Sequence, residues 1–244
     1  MSITTLAPAK INWTLEVLGH RNDGFHEVRT VLQTIGLCDT VRVSPLDRIE
    51  VRLAGRIAGL EGAPEDNLAY RAAVLLLEKM GEPSLGALIE VEKSIPVGAG
   101  LGGGSSDAAA VMRALNRLWD AGLSAPELAC LGAKLGSDVP FFFAGGTASG
   151  WGRGDDIRPL RDIATRRLII VAPTEIVKEK KTARMYARLG PEQYSHGAGT
   201  RALVEKLEAG GEPETYDIVN VFEGVADDVF PALVGIRALR APSS

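Results

Sequence analysis

The sequence predicts an α+β protein, and three observations carry that prediction. Short apolar runs alternate with polar residues, as in residues 11–18, where Ile11, Trp13, Leu15 and Val17 share one face of a strand. Longer runs repeat apolar residues at helical spacing, as in residues 106–119, where Ala108, Val111, Met112, Leu115, Leu118 and Trp119 form one stripe. The strand-rich first part gives way after Arg158 to a mixture of strand and helix, with no internal repeat. A chain of 244 residues suits one large domain or two small ones. The change of character divides it into residues 1–158 and 159–244.

The elements follow in order. The turn-rich segment Gly19-His20-Arg21-Asn22-Asp23-Gly24 closes the first strand. Val41 and Val43, then Ile49, Val51 and Leu53, predict two strands joined through Ser44-Pro45-Leu46-Asp47. Residues 67–80 predict a helix, because Leu68, Ala72, Leu75 and Leu76 recur on one side and Gly81 follows as a stop. Ile89, Val91 and Ile95 predict a strand ending at Pro96. Ser124-Ala125-Pro126-Glu127 is a capping box that opens a helix running to about Leu135. A second glycine-rich region covers residues 145–154. Leu168-Ile169-Ile170-Val171-Ala172 predicts a short buried strand, and helical patterns follow at 181–189, 201–209 and 223–234.

Composition excludes several classes. Hydrophobic residues at 45% and charged residues at 24% are globular values, not those of a disordered chain. Lys plus Arg at 27 against Asp plus Glu at 31 gives −4, without the basic excess of a nucleic-acid binder. Cys38 and Cys130 stand far apart with no CxxC, so neither a disulfide framework nor a structural zinc site is expected. The first residues show no basic stretch leading into an apolar run, so no signal peptide is expected. The longest uncharged stretch near the middle, residues 139–152, falls short of the ~20 apolar residues of a membrane span. A soluble, cytoplasmic protein is the expectation.

The strongest chemical signal is Pro96-Val97-Gly98-Ala99-Gly100-Leu101-Gly102-Gly103-Gly104-Ser105-Ser106-Asp107, which follows a strand and opens a helix. Glycines let several backbone N–H groups converge on one anion, and the helix behind adds its unpaired N–H groups and the positive end of its dipole. Such a loop suits phosphate; the plain alternative is a turn with a serine cap. It is neither common phosphate loop. Gly98-x-Gly100-x-x-Gly103 lacks a second strand ending in an acid, since Asp120 follows a helix, and no lysine follows the last glycine. Three further segments stand out. Lys10 begins a strand beside Asn12, although a lone lysine there is usually a solvated charge. Asp138 precedes the apolar run Val139-Pro140-Phe141-Phe142-Phe143, as a partly desolvated acid or as a cap or Asx-turn residue. His26 follows a turn and Phe25, as a functional or merely satisfied imidazole.

Taken together, Pro8-Ala9-Lys10-Ile11-Asn12, Asp23-Gly24-Phe25-His26-Glu27, Asp66-Asn67-Leu68, Pro96 to Ser106, and Gly136-Ser137-Asp138-Val139-Pro140-Phe141-Phe142 occur in one order. This set resembles the 4-diphosphocytidyl-2-C-methyl-D-erythritol kinases, a family of the GHMP kinase superfamily. The likeness runs from about Leu6 to Leu160 and continues through Lys181-Thr182-Ala183-Arg184-Met185-Tyr186 and Asn220-x-Phe222-Glu223. It implies the GHMP kinase fold: an N-terminal domain like the second domain of ribosomal protein S5, then a ferredoxin-like C-terminal domain, with ATP and substrate in the cleft between. It implies phosphorylation of a hydroxyl of a cytidine diphosphate-linked methylerythritol in non-mevalonate isoprenoid biosynthesis, using ATP and Mg²⁺.

Residue by residue, the resemblance gives Pro96 to Ser106 to the triphosphate and places Asn67 near the nucleotide. Asp138 orients or deprotonates the attacking hydroxyl. Lys10 lies beside it and offsets charge on the transferring group. Ser106 is the candidate hydroxyl for Mg²⁺. Phe25 and Tyr186 supply two ring faces for cytosine, His26 reads its edge, and Asn12 lies near the substrate. Phe25 stands where the family usually has Tyr, and Trp13 replaces a typical Leu. Relatives also carry a Gly-Ser/Thr-Gly loop leading into a buried strand, and this sequence stops at Leu239-Arg240-Ala241-Pro242-Ser243-Ser244, about where that segment begins. A shortened C-terminal domain is therefore expected. The alternatives are a catalytically weak or inactive nucleotide-binding GHMP protein and a GHMP kinase for another small alcohol.

Overall fold

The computed structural model describes residues 1–56, 63–171, 181–229 and 234. Two long antiparallel strands form its spine, β1 (Ile3–His20) and β2 (His26–Leu46). The turn between them is fixed locally: the Phe25 N–H donates to Asp23 Oδ1 at 3.1 Å, and Arg21 pairs with Glu27 at 2.5 Å. The sequence pattern showed only the far end of β2, because its inner half is covered on both faces and does not alternate.

Three bulges interrupt the β1–β2 register, one of them between Asn12 and Thr14. A bulge adds one residue to a strand and so exchanges its faces. Lys10, Asn12 and Leu15 consequently line the same cavity, while Trp13 packs away from it against the cluster of Val31, Leu203 and Leu207. The single apolar face predicted for Ile11, Trp13, Leu15 and Val17 is corrected by this bulge. It also accounts for Trp13, whose bulk fills space against a later helix.

β3 (Ile49–Gly55) and β4 (Gly86–Lys93) are parallel, and parallel neighbours need a crossover. Helix α1 (Leu68–Met80) supplies it. Asn67 Oδ1 accepts from the Ala69 N–H at 2.8 Å at its start, and Gly81, at φ 70°, ends it. Helix α2 (Gly103–Leu118) lies against α1 and the sheet; Ala108, Ala109 and Ala110 are fully buried and allow close approach. Helix α3 (Ala125–Gly132) begins at the expected Ser124–Glu127 capping box. A short α4 (Phe141–Ala144) follows. Half of the second glycine-rich region is strand, forming β5 (Thr147–Trp151), which pairs with β2, and β6 (Asp156–Pro159) follows it. The main core joins Leu32, Val41 and Ile89 of the sheet to Leu76, Met112 and Leu115 of the helices.

After Pro159 the described residues form helices α5 (Lys181–Tyr186), α6 (Ala198–Glu208) and α7 (Ala226–Val229), and a two-residue strand β7 (Val219–Asn220) parallel to β1. The main path of the sheet runs β3-β4-β2-β1-β7. The buried strand predicted at 168–172 is corrected. Residues 168–171 have no regular structure and are exposed, Ile169 by 91%, and Ala172 lies outside the described residues. An apolar run becomes a strand only where a neighbour offers backbone partners, and none of the described residues does so here. The helix predicted from 223 to 234 is described as helix at Ala226–Val229, with 230–233 outside the described residues. No helix among the described residues is long and apolar enough to cross a membrane.

Candidate active site

The inner ends of β1, α1, α2, α5 and the Asp138 segment surround a cavity of 720 Å³. Lys10, Asn12, Asn67, the whole run from Pro96 to Ser105, Asp138 and Tyr186 all line it. Residues separated by more than a hundred positions thus converge.

Lys10 is carried by β1 and held in place by its neighbours. Its backbone N–H donates to Leu101 O at 2.9 Å, joining strand to glycine-rich loop directly. Its ammonium donates to Asn12 Oδ1 at 2.9 Å and lies 3.5 Å from Asp138 Oδ2. Asn12 is oriented in turn by Thr30 Oγ1 at 2.7 Å, and Thr30 donates to Thr14 O at 2.6 Å. The Lys10 side chain is 9% exposed and that of Asp138 is 41% exposed. The cation is therefore fixed in the wall, while the carboxylate opens on the cavity.

Asp138 precedes α4, and buried Val139 and Phe141 anchor its segment. Arg113 of α2 reinforces that anchor by donating to Phe142 O at 2.6 Å. Against this segment lies Gly102, the residue before α2, with φ 71° and no side-chain cap. A Cβ there would stand 2.8 Å from Phe142 Cζ and 3.0 Å from Lys10 Cγ. Only glycine permits both that backbone conformation and that contact. The first N–H groups of α2 have no intrahelical partner by construction and form an anion site.

Helix α2 starts at Gly103, three residues before the expected Ser106, and this rotates the two serines apart. Ser105 lines the cavity; Ser106 is fully buried, off the wall, with no hydrogen-bond partner for its hydroxyl. The placing of Ser106 against phosphate or Mg²⁺ is thereby corrected. Among the described residues no group of three His, Cys, Asp or Glu assembles into a metal centre.

At the other end of the cavity, Tyr186 stacks on His26 with centroids 4.7 Å apart and meets Phe222 edge-on. Burial, then the Asp138 carboxylate, pushes the Tyr186 hydroxyl up to about 12. Burial and the neighbouring His20 lower His26, whose Nε2 is buried without a partner. Phe25 is half exposed, with the Arg153 guanidinium 4.9 Å above its ring. Phe25 and His26 lie outside the cavity wall, and among the described residues no ring contact joins Phe25 to Tyr186.

Sequence reasoning missed a buried group beside the loop, two members of which, Lys93 and Asp107, reach the cavity wall. Lys93 pairs with both Asp39 and Asp107, the latter at 2.5 Å. Burial pushes Asp107 up to about 7; the Lys93 ammonium opposes this, and the Asp39 carboxylate adds to it. The one available signal was the lysine three residues before Pro96, which resembles any strand-end charge. Arg153, also in the wall, carried no signal.

Residues 67–146 match the GHMP kinases N terminal domain family. The chain is 39% identical over 235 residues to a 4-diphosphocytidyl-2-C-methyl-D-erythritol kinase from Dehalococcoides mccartyi, covering 96% of this chain and 81% of the relative. It is 42% identical over 243 residues to the kinase of the same name from Bacillus cereus, covering 98% and 81%. The crystal structure of a 4-(cytidine 5'-diphospho)-2C-methyl-D-erythritol kinase superposes with a TM-score of 0.70 at 36% identity, covering 97% of this chain and 81% of that one. With the cavity, the glycine-rich helix start and the lysine–aspartate pair, this likeness over nearly the whole chain shows that the protein belongs to the 4-diphosphocytidyl-2-C-methyl-D-erythritol kinase family of GHMP kinases.

Proposed function

We propose that the chain transfers the γ-phosphoryl group of ATP to a hydroxyl of 4-diphosphocytidyl-2-C-methyl-D-erythritol, a step of the non-mevalonate isoprenoid pathway. One observation carries the reading: the Lys10–Asp138 pair, 3.5 Å apart, shares a cavity with the free amides at the start of α2. Phosphoryl transfer asks mainly for positioning and charge neutralisation. The loop from Pro96 to Ser105 grips the triphosphate. The alcohol oxygen attacks phosphorus, the bond from phosphorus to the departing ADP oxygen breaks, and Asp138 accepts the alcohol proton. Lys10 offsets the charge that gathers on the transferring group.

Asn67, which caps α1 at the cavity wall, supports the nucleotide end. Tyr186, in the cavity wall, offers a ring face for cytosine, and His26 and Phe25, which lie behind the wall, would have to shift to supply the edge contact and the second face. Asn12 orders the substrate side of Lys10. Mg²⁺ accompanies ATP in this reading; it keeps several waters and needs few protein ligands, and the cavity wall offers it oxygen donors in Ser105 and Asp138. The substrate is a small molecule, and the cytoplasm is the compartment this reading assigns.

The test is ADP release that depends on the cytidine-bearing alcohol. Lys10→Ala and Asp138→Asn each lower kcat by roughly 10²–10⁴-fold. Unchanged turnover in both variants refutes the assigned roles, and equal turnover with unrelated small alcohols refutes the substrate.

A further inference from the structure

We infer that Lys93 is a positioning residue for the nucleotide: its ammonium, shared between Asp39 and Asp107, ties together the two ends of the glycine-rich loop. The inference rests on the reading of that loop as the ATP site. Lys93 is the last residue of β4, immediately before the loop, and Asp107 lies in the second turn of α2, immediately after it. Asp39, from the middle of β2, completes the group. The three side chains are 4%, 9% and 0% exposed for Lys93, Asp107 and Asp39.

Each member holds a different part of the backbone. Asp39 Oδ1 accepts from the N–H groups of Ser94 at 2.5 Å and Ile95 at 2.8 Å, fixing the entry to the loop. Asp39 Oδ2 accepts from Lys93 Nζ, and Lys93 Nζ donates again to Asp107 Oδ2 at 2.5 Å, fixing the exit. The other Asp107 oxygen is buried without a partner, so the bond to Lys93 is what orients this carboxyl. The ammonium also lies against the first turn of α2: a Cβ on Gly103 would stand 3.4 Å from Nζ. Between these anchors runs a segment whose glycines leave it wide conformational freedom, and ordering such a segment costs entropy.

Stability alone does not account for the arrangement. Burying an ammonium and two carboxyl groups costs solvation, and an apolar trio of similar volume often holds a core at least as well. What the charges add is a fixed separation between the end of β4 and the start of α2, and so a fixed placing of the amides between them.

Lys93→Met strands two buried carboxylates and endangers folding, so the informative variants are at Asp107. Asp107→Ala cuts only the exit tether and leaves the charge-balanced Lys93–Asp39 pair. It weakens ATP binding in calorimetry, and raises the KM for ATP, by about fivefold or more, while the KM for the alcohol stays within about twofold and the melting midpoint within about 3 °C. Asp107→Asn keeps an oxygen toward Lys93 and recovers most of that loss. ATP binding by Asp107→Ala equal to that of the parent chain overturns the tether alone. A parallel rise of both KM values with a fall in melting midpoint also overturns it, by showing general loosening. A parent chain that binds no ATP overturns the nucleotide reading itself.

Discussion

Lys10 takes its meaning from what surrounds it. Judged singly, a lysine at the start of a strand is a solvated charge; here its side chain is 9% exposed and committed to Asn12 and Asp138. The same holds for Gly102, which reads in the sequence as one glycine among many. Its φ of 71° and its contacts with Phe142 and Lys10 make it the point where loop, α4 and β1 meet. Gly102→Ala therefore strains the backbone and pushes on both neighbours at once. The expected result is a loss of ATP affinity of about tenfold or more together with a destabilisation of about 1–3 kcal/mol, read by calorimetry and urea melts. Native affinity in a variant that melts normally refutes the assigned crowding. Ser106 shows the reverse case: a serine at the end of a phosphate-type motif was legible, but a helix start three residues earlier turned it into the core.

Elements were legible in proportion to how local their causes are. α1 announced itself by Asn67, its apolar spacing and Gly81, and α3 by its capping box; all act within a few residues. β2 was legible only near Val41 and Val43, since its inner half is covered on both faces, Val31 packing on Leu203 and Leu207 and Leu32 in the main core, and has no open face to pattern. Residues 168–171 misled because hydrophobicity was present and a pairing neighbour was not. The Asp39–Lys93–Asp107 group belongs to this scale, since it binds two strands and a helix, and it carries a pH signature. Asp107 is raised to about 7 from an ordinary 3.8, so the unfolded chain releases this proton first as pH rises. Its contribution to stability is present below pH ~4 and drains away as pH rises toward 7. Asp107→Asn does not titrate, so it melts higher than the parent at pH 8 by a few degrees, and that margin shrinks at pH 5. A margin independent of pH between 5 and 8 contradicts the raised value.

At the scale of the whole molecule, the C-terminal elements are joined to the spine by polar groups at β1 as well as by apolar contact. Glu16 is buried, accepting from Ser195 Oγ at 2.8 Å and the Thr200 N–H at 2.7 Å, and Thr200 Oγ1 meets Thr14 Oγ1 at 2.9 Å. Burial pushes the Glu16 carboxyl upward, but the bonds from Thr200 and Ser195 outweigh it and hold the group below its ordinary 4.5. Its stabilisation is therefore present above pH ~4.5 and lost as pH falls through the lowered value. Amide protection across α6 (Ala198–Glu208) falls between pH 5 and 3 before protection across α2 does, as hydrogen exchange measures. A simultaneous fall in both helices shows that Glu16 is not the acid-sensitive joint.

The fold class, the capped helices and the glycine-rich loop that opens a helix were legible from local backbone chemistry, while the pairing of Lys10 with Asp138 came only with the family resemblance, from motifs in a fixed order. Packing settled which face of β1 looks into the cavity, which serine reaches it, and that Asp39, Lys93 and Asp107 form one buried group. Each of these depends on a bulge, a helix phase or a meeting of distant segments. Such features are set by packing across the whole chain, and shifting any of them by one residue turns the same side chain from the site to the core.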